Sequence, residues 1–171
     1  MASISRLSKA ALDLYFRLLK AILALLMIAM IVPVSLQIIS RYTTIVDRFI
    51  WTEEAARFCF VWIVMLGSMV AVRDGSHFNV ELFASPKTDR ERGIADLIVH
   101  VLMLLFAIVF VWHGSDFARF GLAQTSEMSG INMLSIYIAF PLAGITWAVF
   151  LLEKIASDLR LLARRHEAPK R

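Results

Sequence analysis

The chain of 171 residues has one cysteine, four prolines and seven glycines, and only 19% of it is charged. A single thiol, Cys59, excludes an intramolecular disulfide framework and any cysteine-cluster metal site. Scarce glycine and proline exclude collagenous and low-complexity classes, and twelve phenylalanines with eight methionines exclude a disordered one. What abounds is apolar: 59% of the residues are hydrophobic, against roughly 45–50% in soluble domains. The net charge of +4 is not gathered on one face, which sets nucleic acid aside as a partner. Basic residues instead flank apolar runs, as they do beside a phospholipid surface. The implied class is an all-α integral membrane protein.

A helix needs about 20 mostly apolar residues to cross the hydrocarbon. Ala21 to Ser40 is an uncharged run between Lys20 and Arg41, and Phe58 to Val72 is a shorter one between Arg57 and Arg73. The second reaches spanning length if its helix starts near Trp51. Leu97 to Trp112 follows Asp96 and contains His100 as its one ionisable residue, and Ile131 to Leu152 is closed by Glu153 and Lys154. None alternates with period 2, so four transmembrane helices are expected, over about 20–41, 51–73, 94–113 and 131–153.

Fourteen of the 18 basic residues fall in the N-terminal segment, the second connection and the tail 154–171. That bias puts both termini in the cytoplasm and places Trp51 and Trp112 at the outer interface. Pro33 to Gln37 offers no small-residue cleavage site, so the first span reads as a retained helix and not as a signal peptide. Before it, Arg6, Lys9, Asp13, Arg17 and Lys20 share one helical face, opposite Leu7, Ala11, Leu14 and Leu18. The pattern suits an amphipathic interfacial helix over 3–19 that precedes a turn into the bilayer, with a solvated extension of the first span as the alternative.

In the second connection, alternation over His77 to Leu82 fits either a short extended segment or a surface helix. Ser85-Pro86 resembles an N-cap with proline at the first helical position, which would start the third helix there. Pro33 and Pro141 each remove a helical donor, so kinks are expected. Gly67-x-x-x-Ala71 and Gly144-x-x-x-Ala148 permit close helix approach.

Ion or proton coupling needs ionisable groups near the bilayer midplane, and the central turns of the first, second and fourth spans have none. Asp96 and His100 share a face, yet they sit in the first turns of the third span, where capping or a surface role suits them better than a relay. Haem would need axial ligands from a second span, and no other span holds a histidine. Phosphate loops, nucleophile elbows and His-Glu metal motifs are missing as well. No enzyme and no cofactor are expected.

At the end of the first hairpin the sequence reads Gln37-Ile-Ile-Ser-Arg41-Tyr42, then Trp51-Thr-Glu53-Glu54-Ala-Ala-Arg57. Glu53 can pair with Arg57 one turn on, and Arg41 is placed to reach Glu53 or Glu54 across the hairpin. The second span exits through Arg73-Asp-Gly-Ser-His77-Phe-Asn-Val80-Glu81, and the fourth contains Tyr137, Pro141 and Gly144.

Together these motifs resemble the small membrane subunit of tripartite ATP-independent periplasmic (TRAP) transporters, the DctQ-like family, over residues 10–155. Gln-x-x-x-Arg-Tyr, Trp-x-Glu-Glu, Arg-x-x-x-His-x-x-Val-Asp/Glu and Tyr-x-x-x-Pro-x-x-Gly carry the resemblance, and Ser40 departs from the aliphatic residue more usual before the arginine. The resemblance implies a stable large membrane subunit holding the substrate and sodium sites, a transient periplasmic substrate-binding protein, and a bracing role for this chain in organic-acid uptake across the bacterial inner membrane. Gln37, Arg41, Trp51, Glu53, Glu54, Arg57, Arg73, His77, Tyr137 and Pro141 are then candidates for docking. The alternative is a self-contained four-helix exporter working as a dimer, which would need a membrane carboxylate in an early span.

Overall fold

The computed structural model describes residues 2–43, 49–75 and 89–166, with side chains over 10–43, 49–75 and 93–159. The described residues form five helices: α1 (Ala2–Tyr42), α2 (Ile50–Asp74), α3 (Asp89–Leu122), α4 (Leu134–Tyr137) and α5 (Ala139–His166). Four stretches, Ala10–Tyr42, Ile50–Asp74, Gly93–Leu122 and Leu134–Leu159, are long and apolar enough to cross a membrane. His77 and the Ser85-Pro86 cap lie outside the described residues.

α1 runs without a break, where a change of direction was expected near Lys20. The amphipathic pattern and the span share the 3.6-residue period, so the backbone passes from one to the other with every intrahelical hydrogen bond available except the one lost at Pro33. Ala11, Leu14 and Leu18 on the apolar side are exposed, and Leu19 is buried against the rest of the chain. Thr43 closes α1 by donating its N–H and its hydroxyl to the Ile39 carbonyl at 2.9 and 2.7 Å.

α2 starts after extended Phe49, whose carbonyl accepts the Thr52 hydroxyl at 2.7 Å. It ends at Gly75, left-handed at φ 71°, whose N–H reaches the Ala71 carbonyl at 3.0 Å. α3 runs nine residues past the expected end of its span, to Leu122. A loop follows in which the Asn132 side chain accepts from Leu134 N–H at 2.8 Å and donates to the Leu122 carbonyl at 3.1 Å. Residues 131–133 therefore belong to this loop, and the fourth helical stretch begins at Leu134. The interruption expected from Pro141 falls three residues earlier, at Ile138, and Pro141 becomes the third residue of α5, where no N–H is required.

α3 packs on α5, α5 on α2 and α2 on α1, while among the described residues the backbones of α1 and α3 do not come close. The helices thus form an open row and not a closed four-helix bundle. Leu66, Met69 and Val72 of α2 meet Ala143, Trp147, Phe150 and Leu151 of α5 in the core, which also buries Leu19 of α1 and Ala107 of α3. Tyr15 of α1 crosses to α5, its hydroxyl 2.9 Å from Thr146 Oγ1. The spans of α1 and α3, at the two ends of the row, are almost wholly unburied.

Candidate docking surfaces at the helix ends

The α1–α2 hairpin brings together the charged residues singled out in the sequence. A cavity of about 690 Å³ lies there, lined by Gln37, Ser40, Arg41, Thr52 and Glu53 among others. Arg57 reaches Glu53 at 3.1 Å, one turn along α2, as expected. Arg41 forms no ion pair with either glutamate, contrary to its expected reach across the hairpin. Only one of the two glutamates lines the cavity beside Arg41. That one is Glu53, already engaged by Arg57, and Glu54 turns inward.

Glu54 is only 6% exposed, and among the described residues its Oε2 has no hydrogen-bond partner. Gln37 Nε2, an amide donor on the facing helix, is also buried and has no partner among the described residues. Each such orphan costs about 1–3 kcal/mol, more for a charged group. Around them Tyr42, Phe49, Ile50 and Trp51 are exposed, the Phe49 and Trp51 rings 6.3 Å apart. Both unmet polar atoms are closed to solvent, whereas these apolar side chains remain exposed, as an unpartnered surface patch does.

Tyr137 and Pro141 play a part inside the chain. A Cβ built on Gly114 would lie 2.9 Å from Pro141 N, and one on Gly121 2.7 Å from the Tyr137 ring. A Cβ on Gly144 would lie 3.0 Å from the Ala107 carbonyl oxygen and from Val111 N. Tyr137, Pro141 and Gly144 therefore face α3 in antiparallel order, and Phe117 covers the Tyr137 ring at 4.1 Å. Their sequence spacing is the footprint of this close-packed seam. A Cβ built on Gly67 would meet nothing within 4 Å among the described residues, so Gly67 itself makes no close helix approach there.

At the opposite ends of these helices Arg73, in the last turn of α2, is the hub. Its guanidinium reaches Asp13 of α1 and, at 3.1 Å, Glu153 of α5, so one side chain of α2 ties three helices. It also lies 5.4 Å from the Phe16 ring and 4.9 Å from the Phe150 ring, a cation–π arrangement. Lys20 pairs with Asp74 at 3.3 Å, and Lys154 donates to the Val72 carbonyl at 2.7 Å. His100 Nδ1 and Asp158 Oδ2, 2.7 Å apart and both half-buried, pin α3 to α5. Sequence reasoning missed the partners Asp13, Glu153 and Asp158, whose only signal was their place at the same ends of the spans.

A family model described as "Tripartite ATP-independent periplasmic transporters, DctQ component" matches residues 30–161, which include every candidate docking residue. The isethionate TRAP transporter permease protein DctMQ of Oleidesulfovibrio alaskensis is 30% identical over 142 residues, covering 79% of this chain but 22% of that relative. The sialic acid TRAP transporter small permease protein SiaQ of Vibrio cholerae is 28% identical over 141 residues, covering 80% of this chain and 79% of that protein. The sialic acid TRAP transporter permease protein SiaT of Haemophilus influenzae is 28% identical over 109 residues, of which it is the longer partner: the match covers 64% of this chain and 18% of SiaT.

Proposed function

Because the chain belongs to the DctQ family of TRAP transporters, we propose that it braces a much larger permease subunit during sodium-driven uptake of an organic acid. It is a multi-pass inner-membrane transporter component and not an enzyme. In the proposed complex a periplasmic binding protein delivers the substrate, the large subunit holds substrate and sodium, and both termini of this chain lie in the cytoplasm. Two relatives in which a matching segment occupies about a fifth of a longer permease protein support a stable association with such a partner. An open row of helices whose end members are almost unburied suits a brace, because it leaves broad faces for lipid on one side and protein on the other.

The observation that carries the docking reading is the orphaned pair at the hairpin, Glu54 Oε2 and Gln37 Nε2. A partner that opens the hairpin on docking, and offers a donor to the carboxylate and an acceptor to the amide, would remove both penalties. The surrounding charge is tested by Arg41→Glu, which reverses the sign at the cavity rim. Uptake in cells expressing the whole transporter, screened with isethionate, sialic acid and dicarboxylates, should fall about tenfold, while membrane insertion stays unchanged. Full uptake with the variant would remove Arg41 from the docking surface.

A further inference from the structure

An apolar cavity of about 390 Å³ opens between α2, α3 and α5, with Ser68, Met103, Phe106 and Trp147 among its walls. A second cavity of about 180 Å³ adjoins it at the Arg73 end, and Val72, Met103 and Leu151 line both. The smaller one adds Gly75, Asp96, His100 and Lys154. From Asp96 to Phe106 α3 advances about 15 Å, which is the hydrocarbon depth of one leaflet. The composite groove thus begins at charged residues and reaches the middle of the bilayer along apolar ones. Leu102 and Phe106 at its edge are exposed, so it is open from the lipid side of the chain.

We infer that this groove holds one aminophospholipid of the leaflet at the Arg73 end. Its phosphate sits on the Lys154 ammonium, its amino group on the Asp96 carboxylate, and one acyl chain runs along Met103, Phe106 and Trp147. The charge pattern selects the headgroup. Lys154 is held at the pocket by its 2.7 Å bond to the Val72 carbonyl and retains two further N–H donors. His100 is engaged by Asp158. One cation and one carboxylate in the same small cavity complement a zwitterion, whereas a purely anionic headgroup would meet Asp96 at close range. Trp147 stacks on Phe106 at 6.0 Å, so the deep part of the groove is walled by two aromatic faces suited to an acyl chain.

The test uses the full chain purified with its co-eluting partner in mild detergent. It is reconstituted into nanodiscs of equimolar phosphatidylethanolamine and phosphatidylglycerol, and retained lipid is read by native mass spectrometry. One phosphatidylethanolamine per chain is expected, favoured about fivefold over phosphatidylglycerol, the ratio that one interfacial charge contact of about 1 kcal/mol provides. Asp96→Asn, at an exposed position, should bring the ratio near one while a lipid remains bound through Lys154. A photoreactive side chain in place of Met103 should give lipid adducts. Equal retention of both lipids by the wild type, no retained lipid, a preference that survives Asp96→Asn, or Met103-site adducts with a partner protein would each overturn the assignment.

Discussion

Replacing Arg73 with alanine should loosen α1, α2 and α5 together, lowering the thermal midpoint of the purified chain by about 8 °C. The guanidinium is only 17% exposed, and its loss leaves the Asp13 and Glu153 carboxylates facing one another without a cation. Hydrogen bonds to charged groups contribute about 1.5–3 kcal/mol each when buried. Asp13 is 59% exposed, so its share is discounted for solvent screening and Glu153 carries more of the effect. A net loss of about 2–3 kcal/mol, at roughly 2–4 °C per kcal/mol for a chain of this size, gives the expected shift. Arg73→Lys should recover only part of it, because an ammonium cannot span two carboxylates and lie against two rings as a planar fork does. A midpoint unchanged in Arg73→Ala would mean that the hub holds nothing together.

The second large effect is expected at the seam between α3 and α5. Gly144→Val adds a branched side chain where even a Cβ would come within 2.8 Å of Val111 Cγ2 and 3.0 Å of two backbone atoms. Backbone cannot retreat as a flexible side chain can, so the helices must separate, at a cost of about 3 kcal/mol. Detergent-solubilised Gly144→Val should aggregate on size exclusion well before the wild type does on heating. Gly67→Ala serves as the control. A methyl there meets nothing within 4 Å among the described residues, and the isolated chain should gain about 0.5–1 kcal/mol from the lower backbone entropy of alanine. Equal behaviour of the two variants would contradict the packing described for α3 and α5.

Much of this architecture was legible because a membrane imposes a strong rule. Uncharged runs bounded by Lys20 and Arg41, or by Arg57 and Arg73, admit few other structures than helices. Local pairings at helical spacing were legible too, as Glu53 with Arg57 illustrates. Contacts distant in the chain were not. His100 and Asp158 lie 58 positions apart, and only the packing of α3 on α5 brings them to 2.7 Å. The rotation of α2 decided which of Glu53 and Glu54 faced the cavity, and no sequence pattern fixes that angle. Tyr137 and Pro141 were readable as a motif but not as a seam, because their counterparts Gly121 and Gly114 lie on a different helix. The expected turn near Lys20 failed for the opposite reason, since nothing in a continuous helical period marks a place to stop.

The central claim is that this chain works against a larger membrane subunit docked at the α1–α2 hairpin. It is tested most directly by isolating the tagged chain from its native membranes in mild detergent and identifying what co-elutes by mass spectrometry. A larger multi-spanning protein in equal amount is predicted, with its recovery reduced about tenfold or more in Glu54→Gln, which removes the charge awaiting a donor. A lone homodimer, or a partner retained equally by wild type and Glu54→Gln, would contradict the account.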